Sequence, residues 1–143
     1  MADDELLERF ITKAHVSNGQ LKWQALKLRA TDKGGMSVAR WAIGLAACCA
    51  ADVNNNGAFG FAETVAGVMR VNGHEVVVTP GGFEGHAEIM LAGWNPDWPI
   101  GGPFEPAIAS PEKLAEVRYY EALVKLFRYR PPEVVAEPAA ITV

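Results

Sequence analysis

The order of apolar and polar positions along the chain divides it into a series of short elements. Residues 3–13 place Leu6, Leu7, Phe10 and Ile11 on one side of a helical wheel. Asp and Glu fall in the first turn, where the positive end of a helix dipole favours them. This spacing predicts a short amphipathic helix. Asn18-Gly19 follows, between Val16-Ser17 and Gln20-Leu21. Asn-Gly accepts the positive φ angles of a tight hairpin turn, so the pattern predicts a hairpin. Leu21–Arg29 alternates, with Gln24, Leu26 and Leu28 on one face and Trp23, Ala25, Lys27 and Arg29 on the other, as in a strand. Asp32-Lys33-Gly34-Gly35 reads as a turn.

Met36–Arg40 fits either a strand or the lead into a helix with Ser37 as its N-cap. Residues 39–52 are apolar all round, which predicts a central helix ending at Asn54-Asn55-Asn56-Gly57. A second helix is expected over 61–71, with Phe61, Val65, Val68 and Met69 on one face and Gly73 as its stop. His74–Thr79 is β-branched and bounded by Pro80-Gly81-Gly82, so it predicts a strand. His86–Ala92 is its expected antiparallel partner, across a loop of about six residues. Residues 93–110 hold four of the nine prolines, a density that no regular element survives. Trp94, Trp98 and Phe104 are expected to pin this segment as an ordered coil.

Ser110-Pro111 opens the clearest helix, with Ser as N-cap and Pro at the first helical position. Its apolar stripe is Leu114, Val117, Tyr120, Val124 and Phe127, and Pro131-Pro132 stops it. Lys113, Arg118, Lys125, Arg128 and Arg130 alternate with Glu112, Glu116 and Glu121, the pattern of a solvated face. The expected fold is α+β: a small, mostly antiparallel sheet packed against three main helices. A single domain is expected over residues 1–130, with 131–143 as a loosely held tail.

Composition narrows the function more than the fold. The chain has 143 residues, half of them apolar, with 13 basic and 17 acidic side chains and a net charge of −4. That balance suits a globular domain and lacks the positive field that binds nucleic-acid phosphates. The longest uncharged apolar run, Trp41 to Ala51, is eleven residues, against roughly 20 for a membrane span. The first residues are acidic, unlike a secretory leader, so a cytoplasmic location is expected. Cys48 and Cys49 are the sole cysteines. A disulfide between neighbours is strained, which leaves them as buried apolar groups.

Candidate chemistry concentrates at Gly85-His86-Ala87-Glu88-Ile89. On a strand, His86 and Glu88 share one face. The pair can act as acid–base groups, the carboxylate fixing the imidazole tautomer, or form the polar side of an edge strand. Ser37 and Arg40 after the Gly-Gly turn are candidate holders of a phosphate or carboxylate. The alternative for Ser37 is a plain helix cap. A metal would need a third ligand from His15, His74 or Asp97, and the spacing of none matches a metal motif. Neither a metal nor a cofactor is expected. A thiol mechanism pairing Cys48 or Cys49 with His86 is opposed by burial, which raises a thiol pKa.

Three stretches, Gln24–Arg29, Gly35–Arg40 and His86–Ile89, together resemble a group of small, functionally uncharacterised bacterial domains. Those domains carry an Ala-Phe-type strand, a Leu-Ser-Val turn and a late His-Ala motif. The resemblance spans roughly residues 20–92 and departs at Leu26 and Met36, where Phe and Leu are expected. It implies a bacterial origin and a shared site for Ser37, Arg40, His86 and Glu88, and it supplies no activity. Two functions compete. One is an accessory module that engages a protein partner through Trp94, Trp98 and Phe104. The other is a small enzyme acting on a polar or phosphorylated ligand, with His86 and Glu88 catalytic and Ser37 and Arg40 binding the anion.

Overall fold

The computed structural model describes residues 1–41, 60–79, 85–101 and 105–131. Leu6–Ile11 forms strand β1 rather than a helix. Its inward residues Leu7 and Ile11 are buried, and so is Glu8 on the opposite face. A strand covered on both sides loses the polar–apolar alternation that would betray it, and its apolar residues then mimic a helical stripe. The Asn-Gly hairpin forms as expected, with β2 (Val16–Ser17) paired to β3 (Gln20–Leu21). Asn18 and Gly19 turn it with φ of 52° and 74°. Positive φ at both central positions is the geometry whose twist matches the flanking strands.

Beyond Leu21, which ends β3, the alternating Leu21–Arg29 segment is no strand. Trp23–Leu26 is a 3-10 turn that buries Ala25 and Leu26. The turn at Asp32–Gly35 is present, with Lys33 at φ 51° and Gly34 at φ 81°. It delivers the chain into β4 (Gly35–Arg40), which settles that segment as a strand. The helix expected over 39–52 begins inside β4, and its remainder from residue 42 lies outside the described residues. So do Cys48, Cys49, Phe104 and the tail beyond Pro131.

The helix expected over 61–71 is half strand. Gly60–Val65 is β5, buried almost throughout, and Ala66–Val71 is the short helix α1. β6 (Glu75–Val78) and β7 (His86–Met90) form the expected antiparallel pair. Ser110 caps the helix α2 (Pro111–Val124), its hydroxyl accepting from the Lys113 amide at 3.1 Å. The chain leaves this helix before the prolines, and Arg128–Arg130 adds strand β8.

The architecture therefore corrects the expected three-helix packing. A six-stranded antiparallel sheet, ordered β6-β7-β4-β1-β5-β8, carries the fold, beside the small β2–β3 sheet. The two α-helices among the described residues have six and fourteen residues. One sheet face holds Leu7, Ile11, Met36, Val38, Ala87 and Ile89, packed against Tyr120 and Leu123 of α2. Fully burying the Leu, Ile, Met and Val side chains among them contributes about 1.5–3 kcal/mol each. The opposite face is built differently. It mixes Phe10 and Phe61 with a row of polar groups, and these polar groups define the site.

Candidate functional site

Strand register places four side chains of β4 and β7 together. Ser37 is opposite Glu88, and Ala39 is opposite His86. Residues opposite one another in an antiparallel pair project to the same face. Ser37 Oγ is hydrogen-bonded to His86 Nε2. Thr79 Oγ1, just beyond β6, lies 2.5 Å from His86 Nδ1. A hydroxyl both donates and accepts, so each tautomer of the ring is satisfied. With Nδ1–H donating to Thr79, Nε2 is free to accept the Ser37 proton. Ser37 is exposed and His86 half-buried.

Glu88 shares this face, as its spacing predicts. A Cβ built at Gly35 would meet a Glu88 carboxylate oxygen at 2.5 Å, so the bare backbone of Gly35 makes room for that oxygen. Arg40 is not part of the group. Three positions along a strand from Ser37, it projects to the other face. There its Nε and a terminal nitrogen bind Glu5 Oε1 at 2.9 and 2.8 Å.

Trp94 and Trp98 both pack against α2. Trp98 is 6% exposed, with its ring 5.4 Å from that of Tyr119 and 6.4 Å from that of Tyr120. Trp94 donates through Nε1 to the Tyr120 hydroxyl at 2.9 Å. The coil is also held by two charged residues of α2. The Ile100 amide donates to Glu116 Oε1 at 3.0 Å, and its carbonyl accepts from Lys113 Nζ at 2.7 Å. Lys113 and Glu116 are thus buried and serve the coil, where a solvated face was expected.

The remaining histidines serve local structure. The Thr12 amide donates to His15 Nδ1 at 3.2 Å, and the Ala92 amide to His74 Nδ1 at 3.0 Å. Burial lowers the pKa of both, which favours the neutral, accepting ring. Asp97 sits in a turn where its amide donates to Asn95 Oδ1 at 2.9 Å. Among the described residues no cluster of three or more His, Cys, Asp or Glu side chains could hold a metal ion.

A second polar group on the same face escaped the sequence reading. Across the sheet from His86, the row continues through Ala39, Glu8, Glu63 and Arg128. Glu8 is fully buried and Glu63 nearly so. Arg130 of β8 approaches Glu8 Oε1 at 3.2 Å and Glu63 Oε2 at 2.7 Å, while Arg128 pairs with Glu63. The Arg130 guanidinium also lies 3.9 Å above the centre of the Trp41 ring. Burial, with the adjacent Glu63, pushes the Glu8 pKa up to about 10. Burial also works against ionised Glu63, yet its bonds to Glu8, Arg128 and Arg130 hold its pKa below the usual range. The pair therefore favours a protonated Glu8 beside an ionised Glu63. Read as helices, β1 and β5 gave no reason to bring these acids together.

Comparison with protein-family models, with curated proteins and with solved structures finds no match. Among the described residues, no helix is long and apolar enough to cross a membrane.

Proposed function

We propose that the protein is a small enzyme acting on a polar ligand, with the Ser37 hydroxyl as nucleophile and His86 as its general base. The observation that carries this reading is the direct bond from the exposed Ser37 Oγ to the half-buried His86 Nε2. A serine hydroxyl is a weak nucleophile until an adjacent base takes its proton. As Oγ attacks the carbonyl carbon of an ester, its proton passes to Nε2. The imidazolium then returns that proton to the leaving alkoxide, and the acyl group stays on Ser37. Water, deprotonated by the same nitrogen, releases the acid and restores the hydroxyl. Thr79 on Nδ1 fixes the ring, while Glu88 shares the face with its carboxylate beside Gly35.

The competing reading, partner capture by Trp94, Trp98 and Phe104, relies on an exposed aromatic patch. The ring of Trp98 is committed to Tyr119 and Tyr120 instead, which favours the enzyme. Labelling with a fluorophosphonate probe, read by mass spectrometry, tests the proposal. Wild-type protein is expected to carry the adduct on Ser37, and Ser37→Ala to carry none. His86→Ala is expected to slow labelling about 100-fold or more, the usual contribution of a positioned base. A wild-type protein that stays unlabelled, or a His86→Ala variant that labels at the wild-type rate, would overturn it.

A further inference from the structure

A groove of about 630 Å³ opens at the end of the sheet where β4 begins and β7 ends. Its volume is in the range of small-molecule sites. Met90, Leu91, Trp94 and Pro96 give it an apolar wall, and Lys33 and Glu75 bring one charge of each sign. The wall is fixed in place. The Trp94 indole bonds Tyr120 at 2.9 Å and meets the Trp98 ring edge-on at 6.3 Å. Its six-membered ring also rests on Gly34, where a Cβ would come within 3.2 Å and φ is +81°.

The charges are not spent on the fold. Among the described residues neither Lys33 nor Glu75 forms an ion pair, with the other or with any third group. Opposite unpaired charges beside one apolar wall complement a ligand that carries both signs and an apolar body. A simple anion would meet Glu75 and a simple cation would meet Lys33, each unfavourably. We propose that this groove binds an amino acid with a large apolar side chain, its carboxylate on Lys33, its ammonium on Glu75 and its side chain against Trp94 and Met90. The groove contains neither Ser37 nor His86, so the proposal stands apart from the chemistry assigned to them.

The test follows the indole N–H signal of Trp94, assigned with Trp94→Phe, in NMR titrations of the full chain. The probes are L-phenylalanine, 3-phenylpropionate, which lacks the ammonium, and phenethylamine, which lacks the carboxylate. L-phenylalanine is expected to shift the signal saturably, and each analogue to bind about tenfold more weakly, the worth of one charge-assisted bond. Lys33→Met should weaken L-phenylalanine and 3-phenylpropionate and spare phenethylamine, while Glu75→Gln should weaken L-phenylalanine and phenethylamine and spare 3-phenylpropionate. Failure of all three probes to shift the signal would overturn the proposal. So would equal affinity for the three, or an L-phenylalanine affinity that neither substitution changes.

Discussion

Glu8 on β1 stands directly opposite Glu63 on β5, and both carboxyl groups are shielded from solvent. Burial, with Glu63 opposite, outweighs the Arg130 charge and favours the neutral form of Glu8, so folding at neutral pH favours uptake of a proton there. A carboxyl whose folded pKa is raised stabilises the fold fully below its unfolded pKa and loses that contribution as pH climbs to the folded value. For Glu8 the window runs from 4.5 to about 10. Glu63, held low, contributes in the opposite sense and loses its contribution in acid. The urea midpoint of the wild type is therefore expected to fall as pH rises through the Glu8 window. Glu8→Gln keeps a donor for Glu63 and should flatten that slope. Parallel profiles for the two proteins would rule out a protonated Glu8.

The two arginines of β8 differ in burial and should differ in energetic weight. Arg130 has a side chain 16% exposed and reaches both acids, whereas the Arg128 side chain is 72% exposed and reaches Glu63 alone. Removing one partner from a buried pair leaves an uncompensated charge, which costs about 3–5 kcal/mol. An exposed arginine contributes about 1 kcal/mol or less. Urea denaturation at neutral pH should accordingly show Arg130→Ala losing at least about 2 kcal/mol more than Arg128→Ala. Equal losses would mean that the acids are solvated in solution.

Which parts of this were legible in the sequence follows from how local the signals are. The Asn18-Gly19 hairpin, the turn before Gly35, the β6–β7 pair and the Ser110-Pro111 cap were all readable from a few adjacent residues. β1 and β5 were not, because strands buried on both faces show no alternation, and their acids Glu8 and Glu63 look like surface residues until a third strand delivers Arg130. Ser37 and His86 were each legible, but their contact depends on the register of strands 49 residues apart. Arg40 illustrates the opposite error. At i and i+3 it would join Ser37 on a helix, and on a strand the same spacing sends it to the other side.

Tyr120 links three parts of the core through one oxygen. Its buried hydroxyl accepts from the Leu28 amide at 3.1 Å and from Trp94 Nε1 at 2.9 Å. Tyr120→Phe keeps the ring and strands both donors, each unsatisfied group costing about 1–3 kcal/mol. A loss of about 2 kcal/mol or more is expected in urea denaturation, with faster hydrogen exchange at the Leu28 amide. A loss under about 0.5 kcal/mol, the scale of a neutral surface change, would contradict this accounting.

Gly67 sets two effects against each other, and geometry decides between them. It lies within α1, where replacing glycine by alanine ordinarily gains about 1 kcal/mol of helix propensity. A Cβ at this position, however, would stand 2.8 Å from the Asp3 carbonyl oxygen and 2.9 Å from the Asp3 Cβ. That oxygen belongs to the backbone, so a rotamer change cannot relieve the contact. The same carbonyl accepts from the Gly67 amide at 2.7 Å, while the Asp3 carboxylate pairs with Arg70 at 2.6 Å and the Ala66 amide bonds the Glu5 carbonyl at 3.0 Å. Alanine must therefore displace the N-terminal segment and weaken several of these bonds, each worth about 1 kcal/mol net. Gly67→Ala is expected to lower the thermal midpoint despite its helix propensity. Deleting residues 1–3 removes the obstacle, so in that shortened chain the same substitution should raise the midpoint. A Gly67→Ala protein more stable than wild type in the full chain would show that the N-terminal segment does not hold its place against α1.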